Sequence, residues 1–334
     1  MTSPGSEERG GSRLRYWFSA LSYGVLAIGI GCGEGIERLP GPGAEASAAA
    51  PEATPATQTR PSSATGTPAD RLPRVVAVGD LHADLPASLA ALEMAGVIDG
   101  DGRWSGGEAV LVQTGDVTDR GPDSKEVIEL LERLEGEAAA AGGRVIAMLG
   151  NHEAMNLMGD WRYVSPEDVE DFGTVEDRRA AFTPGAPIAD RLLSSPMVVV
   201  LDRVVYTHGG VTPEYAEMGL DVLNGITPQV IAGRVPPQAL GEDSPLWYRG
   251  YVDEPELTAC KRLEAALLEL AAERMVVGHT TRRDGRIQSR CGGRLLVIDT
   301  GISAHYGGHL SALEVLDGDA RAIYPSGPED LPDP

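Results

Sequence analysis

The stretch Ala109–Gly121 has the sequence AVLVQTGDVTDRG and joins a short apolar run to a polar loop. Four consecutive apolar residues, two of them valine, predict a buried β-strand. The strand leads to Gly115 and Asp116, so it carries a carboxylate to its carboxyl end, where α/β proteins bind their ligands. Taken alone, the same stretch is also compatible with a simple polar turn.

Four other apolar runs lead into short segments that contain both glycine and histidine. These segments are Gly79–His82 (GDLH), Gly150–Glu153 (GNHE), His208–Gly210 (HGG) and Gly278–Thr280 (GHT). Because the carboxyl ends of neighbouring parallel strands meet at one edge of a sheet, we expect their polar side chains to converge. The side chains predicted to meet there are Asp80, His82, Asp116, Asn151, His208 and His279.

The composition of the 334-residue chain limits the classes of partner. A net formal charge of −22 excludes a nucleic-acid partner, since duplex binding depends on lysine and arginine neutralising phosphates. A phosphate-bearing substrate would need a locally positive site on this acidic protein, which bound metal ions would supply.

The first 72 residues predict export and a tether. Arg13 and Arg15 precede sixteen uncharged residues, Tyr16–Gly31, as in a secretory signal peptide spanning 1–32. Cys32 follows that run and resembles the lipidated cysteine of a bacterial lipoprotein, with signal cleavage or an uncleaved anchor as alternatives. Residues 33–72 are rich in alanine, proline, threonine and serine and predict a disordered linker. The expected location is periplasmic or at the cell surface, with a membrane tether through Cys32.

Residues 73–326 predict one α/β domain, followed by a tail over 327–334. Strands alternate with helical patterns, which favours a parallel arrangement at the start of the domain. Ala154–Leu193 has weak periodicity and predicts an irregular or helical insertion over the site. Cys260 and Cys291 form either a disulfide or two buried free thiols.

The mixture of carboxylate, imidazole and amide ligands suits Mn, Fe or Zn better than Ca, which prefers oxygen alone. Six ligands are too many for one catalytic ion with open positions. Two divalent ions sharing a bridging carboxylate, roughly 3.5 to 4 Å apart, fit this number of ligands.

The ordered set GDLHAD, GDVTDRG, GNHE, HGG and GHT resembles the calcineurin-like metallophosphoesterases of the phosphoprotein phosphatase class. The segments His152–Val164 and Leu246–Gly250 are similar to the bacterial Shewanella-like protein phosphatases. This resemblance implies a β-sandwich of mixed sheets flanked by helices, with a dinuclear metal site at the carboxyl ends of the strands. One departure is Ala83, at a position that is usually glycine.

The resemblance also implies a role for each site residue. Asp80 and His82 would bind one metal ion and Asp116 would bridge the pair. Asn151, His208 and His279 would bind the second ion, and a hydroxide between the ions would attack phosphorus. His152, oriented by Asp119, would protonate the leaving oxygen, while Arg120 and Arg249 would bind phosphate oxygens.

Three functions are compatible with these residues. The first is a protein phosphatase acting on Ser/Thr or Tyr residues. The second is an exported hydrolase of nucleotides or other small phosphoesters. The third is a metal-binding receptor without catalysis, which the intact pair His152 and Asp119 argues against, since a receptor needs no proton donor. His305 and His309 belong to no recognised motif, and we expect them to be structural.

Overall fold

The computed structural model describes residues 74–334. The predicted export signal (1–32) and linker (33–72), including Cys32, lie outside the described residues. Within 74–334, no helix has both the length and the apolar character needed to cross a bilayer.

The first sheet is six-stranded and has the order β11-β10-β9-β1-β2-β3. Its strands are β1 (Val75–Val78), β2 (Val110–Gln113), β3 (Arg144–Ala147), β9 (Ala312–Leu316), β10 (Asp319–Tyr324) and β11 (Gly327–Asp330). β1, β2 and β3 are parallel, with Val75 opposite Val110 and Val110 opposite Arg144. The remaining pairings are antiparallel. The parallel start of the domain is therefore confirmed.

The second sheet is five-stranded and has the order β4-β5-β6-β8-β7. Its strands are β4 (Val198–Leu201), β5 (Val204–Thr207), β6 (Arg274–Val277), β7 (Gln288–Arg290) and β8 (Leu295–Val297). β5, β6 and β8 run parallel, and β4 and β7 are antiparallel edge strands. Both sheets are mixed, as the resemblance implied.

The helices flank the two sheets. They are α1 (Leu85–Met94), α2 (Ser124–Ala140), α3 (Asn151–Leu157), α4 (Pro166–Phe172), α5 (Val175–Ala181), α6 (Pro187–Ser194), α7 (Pro213–Ala216), α8 (Leu220–Ile231), α9 (Gly250–Asp253) and α10 (Glu256–Glu269). α1 begins after Asp84, whose side chain accepts a hydrogen bond from Ala87 N–H and so caps the helix. The predicted insertion over 154–193 is mostly helical, because it contains all of α4 and α5 and most of α3 and α6.

The hydrophobic core has three layers, one between the two sheets and one between each sheet and the helices that cover it. Val75 and Val112 of the first sheet pack with Tyr206 and Leu296 of the second, which makes the two sheets a sandwich. α1 and α2 cover the outer face of the first sheet, and the later helices cover the outer face of the second. The outcome is a four-layer α/β/β/α arrangement that brings the carboxyl ends of both sets of parallel strands to one edge.

Two features of the carboxyl-terminal part were mispredicted or left open. The prediction of a tail over 327–334 is wrong, because Gly327–Asp330 is strand β11, paired with β10. The four residues are glycine, proline, glutamate and aspartate, so the sequence shows no hydrophobic alternation from which a strand could be predicted. The strand forms through backbone hydrogen bonds to β10 instead. Pro328 is tolerated because an edge strand need not donate every N–H. Cys260 and Cys291 form a disulfide, which resolves the two alternatives.

Candidate active site

The site is built from loops that follow β1, β2, β3, β5 and β6. In these loops six non-glycine residues adopt the left-handed region of φ, and one of them is Ala83 (52°), the departure noted in the sequence. The other five are His82 (47°), Asp116 (56°), Asp119 (69°), Arg120 (72°) and His279 (64°). Such conformations are unfavourable for residues with a Cβ and cluster where function requires them. The strain therefore marks the same edge that the sequence motifs predict.

The loops after β2 and β3 contact each other at two glycines. A Cβ on Gly115 or on Gly150 would overlap the backbone of the opposite loop. Gly115 also has φ of +95°, which favours glycine. The glycines of the GDVTDRG and GNHE motifs thus allow Asp116 and Asn151 to lie side by side.

The buried carboxylate of Glu153 holds the Asp116 loop in place. Its Oε1 accepts hydrogen bonds from Val117 N–H, Thr118 N–H and the Thr118 hydroxyl, each at 2.9 Å. Its Oε2 accepts from Asp116 N–H at 2.9 Å and from Gly150 N–H at 2.8 Å. Sequence analysis quoted Glu153 within its motif but assigned it no role.

The other five predicted ligand residues cluster around Asp116. His82 Nε2 lies 3.8 Å from an oxygen of Asp80 and 3.8 Å from Asp116 Oδ2. His208 Nε2 lies 3.2 Å from Asp116 Oδ1 and 2.9 Å from Asn151 Oδ1. The ring of His279 lies 4.7 Å from that of His208, and its backbone N–H donates to both oxygens of Asp80 at 3.1 Å.

Backbone carbonyl groups orient His82, His208 and His279 and determine which ring nitrogen each of them directs to the cluster. His208 Nδ1 lies 2.9 Å from Thr114 O, His82 Nδ1 lies 3.3 Å from Thr118 O, and His279 Nε2 lies 3.2 Å from Trp247 O. An N–H donating to each carbonyl leaves the other nitrogen with its lone pair directed to the cluster. Orientation of this kind is typical of metal-binding histidines.

The donor set fits a pair of divalent cations. With Nδ1 of His208 donating to Thr114, its Nε2 lone pair faces two oxygens, from Asp116 and Asn151. Three electron-rich atoms in contact repel one another unless a cation lies among them. Two groups of side chains, His82–Asp116–His152 and Asp116–His208–His279, share Asp116, and the candidate ligand atoms of each group lie within 4.8 Å of one another. The first group includes His152, to which the resemblance assigns proton donation instead, and does not include Asp80.

Burial and neighbouring charges shift the pKa values of the cluster. Burial lowers the pKa of His82 to about 3, and burial with His208 and Arg249 lowers the pKa of His279. Both imidazoles are therefore neutral and able to bind a cation. Burial, with the charges of Asp299 and Asp116, raises the pKa of Asp80. Such crowded carboxylates are stabilised by divalent cations.

The pKa values of Asp116 and His152 shift in the direction opposite to the effect of burial. Burial alone raises the pKa of Asp116, but the nearby imidazoles of His208 and His152 outweigh it and lower the pKa well below its usual value. Burial alone lowers the pKa of His152, but the Asp116 charge and the hydrogen bond to Asp119 outweigh it and raise the pKa. His152 Nδ1 lies 2.7 Å from Asp119 Oδ2, which leaves Nε2 to the cavity.

The cluster opens into a cavity of about 680 Å³. Arg120 lines it, stacks on the ring of Tyr163 at 3.9 Å, and its buried Nε has no hydrogen-bond partner. Arg249 also lines the cavity and donates to His279 O at 2.8 Å. Both predicted phosphate-binding arginines thus lie beside the cluster.

Several lining residues were missed or undervalued by sequence analysis. The ring of Tyr306 lies 4.7 Å from that of His82, and His305 also lines the cavity rather than being remote from it. Trp247 and Arg283 also line the cavity. Tyr306 had a faint signal in the segment Ser303–Gly307, whereas Arg283 had none, because a charged residue in a polar loop is usual.

Comparison with known proteins agrees with this geometry. The sequence profile of calcineurin-like phosphoesterases matches residues 73–282, more than half of the chain, so the chain belongs to the calcineurin-like phosphoesterase family. Family and site together make the protein a metal-dependent phosphatase that uses two divalent ions.

Its relatives place it near one branch of that family. It is 34% identical to Shewanella-like protein phosphatase 2 of Arabidopsis thaliana, over 69% of this chain and 71% of that protein. It is 31% identical to Shewanella-like protein phosphatase 1 of Plasmodium berghei, over 69% and 67%. Among solved structures, the cold-active protein-tyrosine phosphatase of a psychrophilic Shewanella species has a TM-score of 0.69 and 28% identity, covering 78% of this chain and 80% of that one.

Proposed function

We propose that this phosphatase removes phosphate from phosphorylated protein side chains. The observation that carries the proposal is that His152 and Arg120 face the same cavity, directly beside the Asp/His cluster. Phosphomonoester hydrolysis needs a proton donor, an anion-binding guanidinium and a set of metal-binding side chains in one cavity, and all three are present here.

The proposed metal ligands follow the geometry of the cluster. Asp80 and His82 would hold one ion, Asn151, His208 and His279 would hold the second, and Asp116 would be a ligand to both. Bound ions of this kind polarise the phosphoryl group and acidify a water molecule. We propose Mn, Fe or Zn, because the imidazole ligands disfavour Mg and Ca.

His152 supplies the proton that the leaving group needs. Its Nδ1 is held by Asp119 at 2.7 Å, so the proton on Nε2 faces the cavity. As the bond from phosphorus to the ester oxygen breaks, that oxygen keeps the electron pair and takes the Nε2 proton. Water provides the hydroxyl group that completes inorganic phosphate, and its released proton restores His152.

Arg120 and Arg249 bind the phosphoryl oxygens. The unpartnered Nε of Arg120 and its stacking on Tyr163 preorganise one guanidinium at the cavity wall. Charge-assisted hydrogen bonds from arginine to phosphate are strong and directional. The two arginines supply positive charge at the cavity wall of a chain whose net formal charge is −22.

Support for a protein substrate comes from the relatives, which are named protein phosphatases, and from the broad cavity lined by Tyr163, Trp247 and Tyr306. The test compares phosphopeptides containing phosphoserine, phosphothreonine or phosphotyrosine with nucleotides and sugar phosphates. A higher kcat/KM on phosphopeptides supports the proposal. Higher values on the small phosphoesters would assign the protein to scavenging of phosphate instead.

A matched pair of variants tests whether hydrolysis depends on the Asp/His cluster. Asp116→Asn should abolish hydrolysis of every substrate, because it removes the shared carboxylate. Asp221→Asn, an exposed substitution of the same type on α8, should leave the rate unchanged. Unchanged activity of Asp116→Asn would contradict the proposed function.

We also propose that the protein is exported and tethered through lipidated Cys32. The support is the arginine-flanked apolar run ahead of that cysteine. Cell fractionation should recover the wild-type protein with membranes and Cys32→Ser in the soluble exported fraction. An equal distribution of the two proteins would exclude the lipid anchor.

A further inference from the structure

Arg178 is fully buried, which is unusual for an arginine. It lies on α5, in the helical insertion, and its guanidinium is surrounded by the rings of Phe182, Trp161 and Phe172 at 4.6, 5.4 and 5.6 Å. A buried charge is tolerated only where partners replace its water. The partners of Arg178 therefore indicate what it is for.

One side of the guanidinium leads to the proton donor. Arg178 Nη1 donates to Asn156 Oδ1 at 2.7 Å, and Asn156 Nδ2 donates to Asp119 Oδ1 at 2.9 Å. Arg178 Nη2 lies 3.5 Å from the same oxygen. The other oxygen of Asp119 is 2.7 Å from His152 Nδ1. The guanidinium and the imidazole are thus joined through opposite oxygens of one carboxylate.

The other side leads to the backbone of the same aspartate. Arg178 Nε donates to Asp168 Oδ2 at 2.7 Å, and Asp168 Oδ1 accepts from Ser124 N–H at 2.9 Å. The Ser124 hydroxyl in turn accepts a hydrogen bond from Asp119 N–H at 3.3 Å. Asp119 has φ of 69°, so its backbone is in an unfavourable region. Arg178 therefore supports Asp119 at both its carboxylate and its backbone.

We propose that Arg178 is a positioning residue for proton transfer by His152, an inference that rests on the proposed function. Arg178 contacts Asp119 Oδ1, directly and through Asn156, so that Asp119 Oδ2 is free to hydrogen-bond to His152. The imidazole is then held with Nε2 towards the leaving oxygen. Arg178 does not line the cavity, and it acts on the reaction only through these neighbours.

A purely structural role is the competing explanation. On that view Arg178 only fastens α4 and α5 to the domain, and its removal harms every substrate to the same degree. A role in proton delivery predicts a different pattern, because the need for a proton depends on the leaving group. p-Nitrophenolate leaves without protonation, whereas an alkoxide does not.

The experiment measures kcat for p-nitrophenyl phosphate, phenyl phosphate and an alkyl phosphate with the full chain. The variants are Arg178→Met and, as control, Arg179→Met, which changes the exposed neighbour on the same helix. Arg178→Met should lower kcat on the alkyl ester about 10- to 100-fold and on p-nitrophenyl phosphate less than about 3-fold, because outer residues of metal sites tune activity on that scale. Arg179→Met should change neither.

Asn156→Ala serves as the second variant should Arg178→Met fail to fold, because it breaks the shorter link from Arg178 to Asp119, which runs through Asn156, and keeps the charge pair with Asp168. It should show the same dependence on the leaving group. An equal loss across the three substrates, or no loss, would overturn the inference while leaving the proposed function intact. A wild-type protein inactive on all three would overturn the proposed function and the inference with it.

Discussion

Glu153→Gln tests how the site loop is held. The carboxylate of Glu153 accepts five hydrogen bonds, from four backbone N–H groups and one hydroxyl, and is fully buried. Glutamine has the same shape but only one acceptor oxygen, and its NH₂ group must face the donors that the second oxygen served. When the amide oxygen faces Val117 and Thr118, the N–H groups of Asp116 and Gly150 lose their partner.

Each buried donor left without a partner costs about 1–3 kcal/mol, so the two together predict a loss of about 2–6 kcal/mol in the free energy of unfolding. For a domain of this size each kcal/mol lowers Tm by about 2–4 °C, which gives an expected fall of about 4–24 °C. Because Asp116 lies on the loop, metal affinity should also fall, by about 10- to 100-fold.

Thermal unfolding followed by circular dichroism, with and without added metal, measures both effects. Glu129→Gln is the matched control, since this side chain is exposed on α2, and its Tm should equal that of the wild type. A Tm for Glu153→Gln that also equals the wild type would refute the reasoning, because the five hydrogen bonds would then not be holding the loop.

Three further predictions concern other parts of the molecule. Replacing Cys260 and Cys291 with serine should lower the free energy of unfolding by about 3–4 kcal/mol, as expected for a bridge across a sequence separation of 31, and denaturant titration measures it. Arg120→Lys keeps the charge but loses the planar fork, so steady-state kinetics should show kcat/KM lower by about 100-fold. Chelation of divalent ions should abolish activity and lower Tm in calorimetry, because Asp80 and Asp116 then repel each other, and added Mn should restore both.

The sequence predicts best those features that are local. Each strand that carries a site residue is an apolar run followed within a few residues by its ligand, so Asp80, Asp116 and His279 could be placed at strand ends without knowledge of the sheet order. Parallel strands then bring those ends to one edge, as β1, β2 and β3 do. Convergence of the ligands that follow β1, β2 and β3 thus came from parallel pairing, whereas His208 and His279 reach the same edge only because the second sheet packs on the first.

Features created by tertiary packing could not be predicted in this way. Arg178 lies in a charged helix with no motif, and only the folded insertion brings it to Asn156 and Asp119. β11 consists of residues that form no hydrophobic pattern, because it pairs through its backbone at a sheet edge. The Cys260–Cys291 bridge depends on the packing of α10 beside β7, which the sequence does not reveal.

The most direct test of the account is the metal content of the purified protein. Inductively coupled plasma mass spectrometry on the wild type, loaded with Mn, Fe or Zn and freed of excess metal, should give two equivalents per chain. Asp116→Asn should give at most one, because the shared ligand is gone. Two results would contradict a dinuclear site built around this aspartate. One is a wild-type protein that holds fewer than two ions whichever of the three metals is supplied, and the other is an Asp116→Asn variant that still holds two.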